Sequence, residues 1–283
     1  MNQQRLISVG MKMGIVTLAW AIQMGNARAV TMAGATWDAS VNLDFAAGST
    51  APTAIGGSVV ITTGNGGKFD EGIHLPAGGS DSTRVLQYDG LGNLDKNQGT
   101  VTFWYKPGVD YFNFTGGRIL TIETAAGGGG RLVDIYAGNP VGGGWDSYMS
   151  ANGMSSSATT LYDADDWLYF AFVWDAAVGS HRMWVGINSG MATNYAGTAY
   201  APWTPSAGNP DSINIGSFDG TVGSGQFSRG VWDDLFISDQ VLFDPNASAI
   251  PMPLSSFTVT PEPSIAGLLG IGALVGGWWR RRK

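Results

Sequence analysis

Outside its two ends, the chain has almost no stretch in which apolar residues recur at the three- and four-residue spacing of a helix, and that narrows what it can become. Short runs rich in Val, Ile, Phe, Tyr and Trp alternate instead with clusters of Gly, Asn, Ser and Asp, the pattern of antiparallel strands joined by loops. Strands are expected at residues 58–63, 72–75, 100–106, 118–123, 131–136, 167–174, 181–187, 212–215 and 230–238. The glycine clusters at 127–130 and 142–144 read as loop tips, since neither is followed by Lys-Ser/Thr or opens a helix as a phosphate cradle would. No long repeat is visible. The stretch between the terminal segments is long enough for one large all-β domain with its own core.

Residues 30–260 contain 8 basic and 21 acidic side chains, a net of −13, while the whole chain carries −7 because both ends are basic. Such a surface repels nucleic acid and anionic polysaccharide, and it suits neutral glycans, divalent cations or basic proteins. No nucleic-acid partner is expected. The chain has 0 cysteines and 2 histidines, His74 and His181. That leaves no disulfide framework and no thiolate nucleophile, and neither histidine has the sequence partners of a catalytic triad or a multi-histidine metal site.

Six blocks then follow one another in a recognisable order. They are Gly67-Lys68-Phe69-Asp70-Glu71-Gly72-Ile73-His74-Leu75-Pro76, Gly99-Thr100-Val101-Thr102-Phe103-Trp104-Tyr105-Lys106-Pro107, Asp166-Trp167-Leu168-Tyr169-Phe170-Ala171-Phe172-Val173-Trp174-Asp175, Met183-Trp184-Val185-Gly186, Ile213-Asn214-Ile215-Gly216, and Gly230-Val231-Trp232-Asp233-Asp234-Leu235-Phe236-Ile237-Ser238-Asp239-Gln240-Val241-Leu242. Together they resemble a laminin-G-like, concanavalin A-like domain. The resemblance implies an all-β fold, a two-sheet jelly-roll sandwich with one concave and one convex sheet, over residues 30–245. The stretch before Gly64 and the region 127–160 depart from the family pattern.

Proteins of that fold include glucanases, lyases and lectin-like modules, so the fold does not choose among them. The glucanases resembled carry a Glu-x-Asp-x-(x)-Glu strand whose alternation sets carboxylates on one face. Here the glutamates before residue 260 are Glu71 and Glu123, and neither lies in such a pattern. The chain is therefore expected to be a binding module and not an enzyme, with a glycan or protein ligand. Two rivals stay open: a structural matrix protein without a defined ligand, and a divergent glycoside-active enzyme drawing carboxylates from separate strands.

Trp104, Trp167, Trp174, Trp184 and Trp232 fall in expected strands and read as core. Trp145, Tyr148, Tyr195, Tyr200 and Trp203 lie among Gly, Asn, Ser and Pro, where flat rings either close loops over the core or stack on a sugar face. These five are the candidate ligand contacts. Asp233 shares alternation phase with Val231, Leu235 and Ile237, so it is expected to point inward with them. An inward carboxylate must be satisfied by backbone N–H groups, a cation or a buried partner. A structural Ca²⁺ is one option, because calcium takes oxygen ligands that Asp233, Asp234 and loop carbonyls could supply.

The two ends carry addresses. Arg5 and Lys12 precede an apolar stretch, and Ala27-Arg28-Ala29 offers small residues at the positions a signal peptidase reads, so 1–29 is expected to be a signal peptide. At the other end Pro261-Glu262-Pro263 precedes an uncharged apolar run at 265–279, and Arg280-Arg281-Arg282-Lys283 follows it. As a helix that run rises about 22 Å, short of the roughly 30 Å hydrocarbon core, a difference that flanking Ser264, snorkelling arginines and local thinning of the bilayer can make up. This layout resembles the PEP-CTERM sorting signal of Gram-negative bacteria. It implies a transmembrane helix over part of 261–283, a linker at 246–260, processing by an exosortase-type membrane transpeptidase, and delivery to the cell surface or an exopolysaccharide matrix. A plain uncut anchor holding the domain outside the cytoplasm is the alternative.

Overall fold

The alternating runs fold as strands, and the runs of unbroken hydrophobicity become the strands buried on both faces. The computed structural model describes residues 32–38, 40–56, 59–62, 66–75, 86–107, 117–124, 130–137, 145–151, 154–160, 165–194, 201–202, 210–216 and 228–255. In chain order the strands are β1 Met32–Ala35, β2 Phe45–Ala46, β3 Pro52–Ile55, β4 Val60–Ile61, β5 Ile73–Leu75, β6 Leu86–Asp89, β7 Gln98–Lys106, β8 Gly117–Thr124 and β9 Gly130–Ala137. They continue as β10 Trp145–Ala151, β11 Met154–Thr160, β12 Leu168–Asp175, β13 Ser180–Ile187, β14 Met191–Asn194, β15 Ala201–Pro202, β16 Pro210–Ile215, β17 Gly230–Ser238 and β18 Ala249–Pro251. Among the described residues there is no helix.

Two antiparallel sheets result. The larger has 11 strands in the order β18-β14-β13-β12-β7-β17-β1-β2, with β15 joined to β13 and with β5, which carries β4, joined to β17. The smaller has 7 strands in the order β11-β10-β9-β8-β16-β6-β3. Period-two alternation sends Val101, Phe103 and Tyr105 of β7 and Leu168, Phe170, Phe172 and Trp174 of β12 into one core, where they meet Leu120, Ile122, Val133, Ile135, Ile213 and Ile215 of the smaller sheet. Burying each such side chain contributes roughly 1.5–3 kcal/mol.

The intervening residues of the same strands face away from that core, yet they are buried too. Trp104, Tyr169, Ala171, Val173 and Trp184 form a second apolar cluster with Ala192, Ile250 and Met252. This explains why β7 and β12 read as continuous hydrophobic runs instead of alternating ones. The cover over this face comes from the C-terminal segment: β18 pairs with β14 through Met191↔Pro251, Ala192↔Ile250 and Thr193↔Ala249, and the Trp184 indole N–H donates to the Ala247 carbonyl at 2.9 Å. Residues 246–252, expected as the start of a linker, are thus packed chain.

Candidate functional site

Alternation along β17 places Asp233 with the core side chains, and here the structure departs from expectation. Trp232, Leu235 and Ile237 enter the core, while Asp233 lies opposite Trp104 on the outer face. A β-bulge is the reason. The register against β7 shifts between Asp233 and Phe236, and Asp234 adopts a left-handed φ of 55°, so one extra residue reverses the phase. Asp is among the few side chains that tolerate this region.

Asp233 is 1% exposed, and its Oδ2 accepts the amide N–H of Lys68 at 2.6 Å and of Phe69 at 3.1 Å. Burial pushes its carboxyl up to about 7, against the pull of the Phe69, Lys68 and Asp234 amides. The loop it holds has no slack: a Cβ added to Gly67 would stand 2.1 Å from the Glu71 carbonyl oxygen and 2.8 Å from Asp233 Oδ2. Lys68 Nζ sits 4.4 Å from the centre of the Trp104 ring and donates to the Asn188 carbonyl at 2.5 Å; Phe69 meets Trp104 edge-on at 6.0 Å. Asp233 therefore clips the loop around Gly67 onto the larger sheet. For calcium, Asp233 and Asp234 offer carboxylate oxygens, but backbone donors already occupy Oδ2, and among the described residues no group of three or more His, Cys, Asp or Glu is gathered.

The outer face of the smaller sheet has a different character. Core-facing Leu86, Tyr88, Leu120, Ile122, Val133, Ile213 and Ile215 alternate with polar neighbours that line up across four strands. Gln87 of β6 opposes Asn214 of β16, Asn214 opposes Thr121 of β8, and Thr121 opposes Asp134 of β9. Gln87 Nε2 donates to Asn214 Oδ1 at 2.7 Å, Asn214 Nδ2 to Ser212 Oγ at 3.2 Å, and Thr53 Oγ1 to Gln87 Oε1 at 3.0 Å. At one end Arg118 Nε meets Asp134 Oδ1 at 2.9 Å, and both side chains are buried. One row along, Glu123 opposes Ser212 and is partly exposed. A β-bulge between Ile122 and Glu123 turns both Leu132 and Val133 to the core and leaves Glu123 and Asp134 on the same face.

Of the five sequence-predicted contacts, the described residues include two. Trp145 and Tyr148 belong to β10, in register with Thr160 and Ser157 of β11, so they are strand residues and not loop residues. Tyr195, Tyr200 and Trp203 lie outside the described residues, as do Ala27 and Ala29 of the cleavage site and Pro261, Glu262 and Pro263 of the tail motif. His181 is buried against Phe172 at 5.8 Å, and burial lowers its pKa to about 4, which fits a neutral packing residue.

No family model matches this chain, and no curated protein matches it. Among solved structures it is similar to a heptameric SAP-like pentraxin from Limulus polyphemus, at 18% identity over 52% of this chain and 66% of that one, with a TM-score of 0.39. A Trypanosoma rangeli sialidase in complex with the inhibitor DANA matches at 9% identity over 68% and 30%, TM-score 0.47. A GH131 β-glucanase catalytic domain from Podospora anserina matches at 13% identity over 65% and 80%, TM-score 0.42. The chain thus spans just under two thirds of the pentraxin and less than a third of the sialidase. The expectation that it is no enzyme is corrected: two of these three proteins are enzymes by name. The sequence argument against catalysis asked for carboxylates within one strand and left open only as a rival a pair drawn from separate strands; β8 and β9 place Glu123 and Asp134 on one face, with Asp134 buried against Arg118. At these identities and TM-scores the likeness assigns no reaction to this chain.

Proposed function

We propose that this is an exported, envelope-associated protein of Gram-negative type, in which a laminin-G-like, concanavalin A-like jelly roll engages carbohydrate as a binding or glycan-active domain, presented by a PEP-CTERM tail. The observation that supports the fold part of this reading is the placement of the six sequence blocks. They fall in order on β5, β7, β12, β13, β16 and β17: β13, β12, β7 and β17 are consecutive in the larger sheet, β5 branches from β17, and β16 lies inside the smaller sheet. On the smaller sheet the partly exposed Gln87 and Glu123 supply amide and carboxylate groups of the kind that hydroxyl-rich ligands require, beside the buried Asn214, Thr121 and Asp134. A structural calcium at Asp233 and Asp234, and a protein in place of a glycan ligand, belong to the same proposal.

The test has two arms. Intact mass of the protein recovered from native envelope and medium should show a product starting near Val30 and ending near Pro261-Glu262-Pro263; retention of residues 280–283 would refute processing and leave a membrane-anchored domain. A glycan array should show binding or turnover that Glu123→Gln weakens, while silence across neutral glycans would refute the carbohydrate reading.

A further inference from the structure

We propose that the larger sheet carries a separate subsite for a neutral pyranose, centred on Trp167 where β12 begins and β13 ends and flanked by Lys106, Asp165 and Asn188; this rests on the carbohydrate reading above. The tryptophans of the chain are not treated alike. Among the described residues, the indole N–H groups of Trp37, Trp174, Trp184 and Trp232 donate to the Tyr88 hydroxyl and to the carbonyls of Asp95, Ala247 and Ile119, and Trp104 is fully buried. Trp167, expected in the core, packs against the second apolar cluster yet stays partly exposed, and its indole N–H has no acceptor in the protein. A tryptophan with an apolar body against the fold and an unbonded, wet N–H has the form this residue takes at recognition surfaces.

The ring is held in place by one residue. The Trp167 amide donates to Asn188 Oδ1 at 3.0 Å, the Asn188 amide donates to the Trp167 carbonyl at 2.7 Å, and Asn188 Nδ2 donates to Asp166 Oδ1 at 2.7 Å. Asn188 does this from a left-handed φ of 61°, which asparagine accepts more readily than most residues. A contact fixed in this way at strand ends has little ordering left to lose when a ligand arrives.

The surrounding polar groups are those a sugar uses. Asp165, with its side chain 88% exposed, faces Lys106 Nζ at 3.6 Å, and Lys106 keeps 33% of its own side chain exposed. Lys106 follows Tyr105, which opposes Leu168, so it lies at the Trp167 end of β12; Asn188 is exposed as well. A carboxylate accepts from neighbouring hydroxyls, and an ammonium and a carboxamide donate to them, while the apolar face of a pyranose stacks on an indole. Charge selects among sugars. Lys106 and Lys68, whose Nζ reaches the Asn188 carbonyl, offset Asp165 and Asp166, so the ring is bordered by balanced charge that favours a neutral ligand over an anionic one.

The full chain, purified in detergent, is applied to an array of neutral and anionic glycans, and the tightest neutral oligosaccharide is carried into titrations with variants. Trp167→Ala should weaken binding on the order of tenfold or more, and Trp167→Phe, which keeps a stacking face, should recover most of that loss. Asp165→Ala removes an 88% exposed side chain, so it should leave the thermal midpoint unchanged while weakening binding on the order of threefold. Saturating oligosaccharide should protect Trp167 from hydroxyl-radical oxidation, read by peptide mass spectrometry, and leave Leu91, 64% exposed on the turn after β6, unprotected. Binding that Glu123→Gln abolishes while Trp167→Ala and Asp165→Ala bind as the parent would overturn this subsite and keep the carbohydrate reading. Loss in Trp167→Ala without any effect of Asp165→Ala and without protection would assign Trp167 to packing alone. Binding to anionic glycans only would overturn the ligand class, and a parent chain silent across the array would overturn the subsite together with the carbohydrate reading.

Discussion

Asp233→Asn isolates what a buried carboxyl contributes to this fold. The asparagine keeps an oxygen for the Lys68 and Phe69 amides and removes the charge. The wild-type carboxyl is raised from 3.8 to about 7 by burial. At ~1.4 kcal/mol per pH unit, that makes its ionised form cost about 4 kcal/mol in the folded state, an upper bound because the loop can relax. The sign follows from proton counting. Below about pH 4 the group is protonated in both folded and unfolded chains and contributes no difference. Between about 4 and 7 the folded chain holds more protons, so wild-type stability falls as pH rises. Above about 7 both states are ionised and the full cost is present. Asparagine has no such dependence, so the variant should match wild type near pH 4 and exceed it near pH 8. At about 2–4 °C per kcal/mol the gain reaches roughly 8–16 °C. Thermal unfolding of the full chain across this range, followed by tryptophan fluorescence, measures it. A variant less stable than wild type at about pH 8 would refute the reasoning, because the amides or a bound cation would then be favouring the ionised form. Repeating the wild-type scan with EGTA separates those two: only a bound calcium makes the midpoint sensitive to the chelator.

Two further outcomes are expected. A chain ending at residue 245 should be less stable than one ending at residue 255 by roughly 2–5 kcal/mol in urea unfolding, since Ile250 and Met252 leave the second apolar cluster; equal stability would mean that the C-terminal segment is not part of the fold. Replacing Arg118 by Met should cost about 3–5 kcal/mol because it removes the guanidinium paired with the buried Asp134 carboxylate, and adding Asp134→Leu should recover most of that loss, which a double-mutant cycle in urea would show.

Strands rich in large apolar residues were legible in the sequence, and strands held by their neighbours were not. Each run named in advance contains a strand, β7, β12 and β17 among them, though 58–63 does so only over Val60–Ile61, because Val, Ile, Phe, Tyr and Trp at short spacing have no stable place except a sheet. β11 was unreadable for the opposite reason: Ser155 to Ala158 carry no apolar alternation, and their conformation comes from pairing with β10. One local signal was available, since Asn152-Gly153, a pair favoured in two-residue hairpin turns, stands between β10 and β11. The direction of Asp233 was misread because alternation assumes a regular strand, and nothing in Asp233-Asp234 announces the left-handed turn that reverses it. The polar row was invisible for a topological reason. Gln87, Asn214, Thr121 and Asp134 are scattered through the chain, and only the order β9-β8-β16-β6 sets them side by side.

That order also decides how the outward face of each sheet is filled. The central strands of the larger sheet face the sandwich core on one side and the cluster of Trp104, Tyr169 and Trp184 on the other, where Ile250, Met252 and Phe69 cover them. The cover serves stability: Trp184 bonds the Ala247 carbonyl, and Asp233 holds the loop that brings Lys68 over Trp104. A ligand entering there would have to displace packed apolar chain, at a cost of roughly 1.5–3 kcal/mol for each large side chain uncovered. On the smaller sheet the outward row consists of amide, hydroxyl and charged groups, and Asn214, Thr121 and Asp134 within it are 0% exposed. Buried polar groups cost stability unless they are satisfied; here Gln87 bonds Asn214, Asn214 bonds Ser212, and Arg118 pairs with Asp134, so this row serves the fold first. A ligand approaching that face would meet the partly exposed Gln87 and Glu123 before the buried members of the row. If Glu123→Gln and Gln87→Ala both leave ligand engagement unchanged on a glycan array that the parent chain lights up, the carbohydrate site lies elsewhere on the chain.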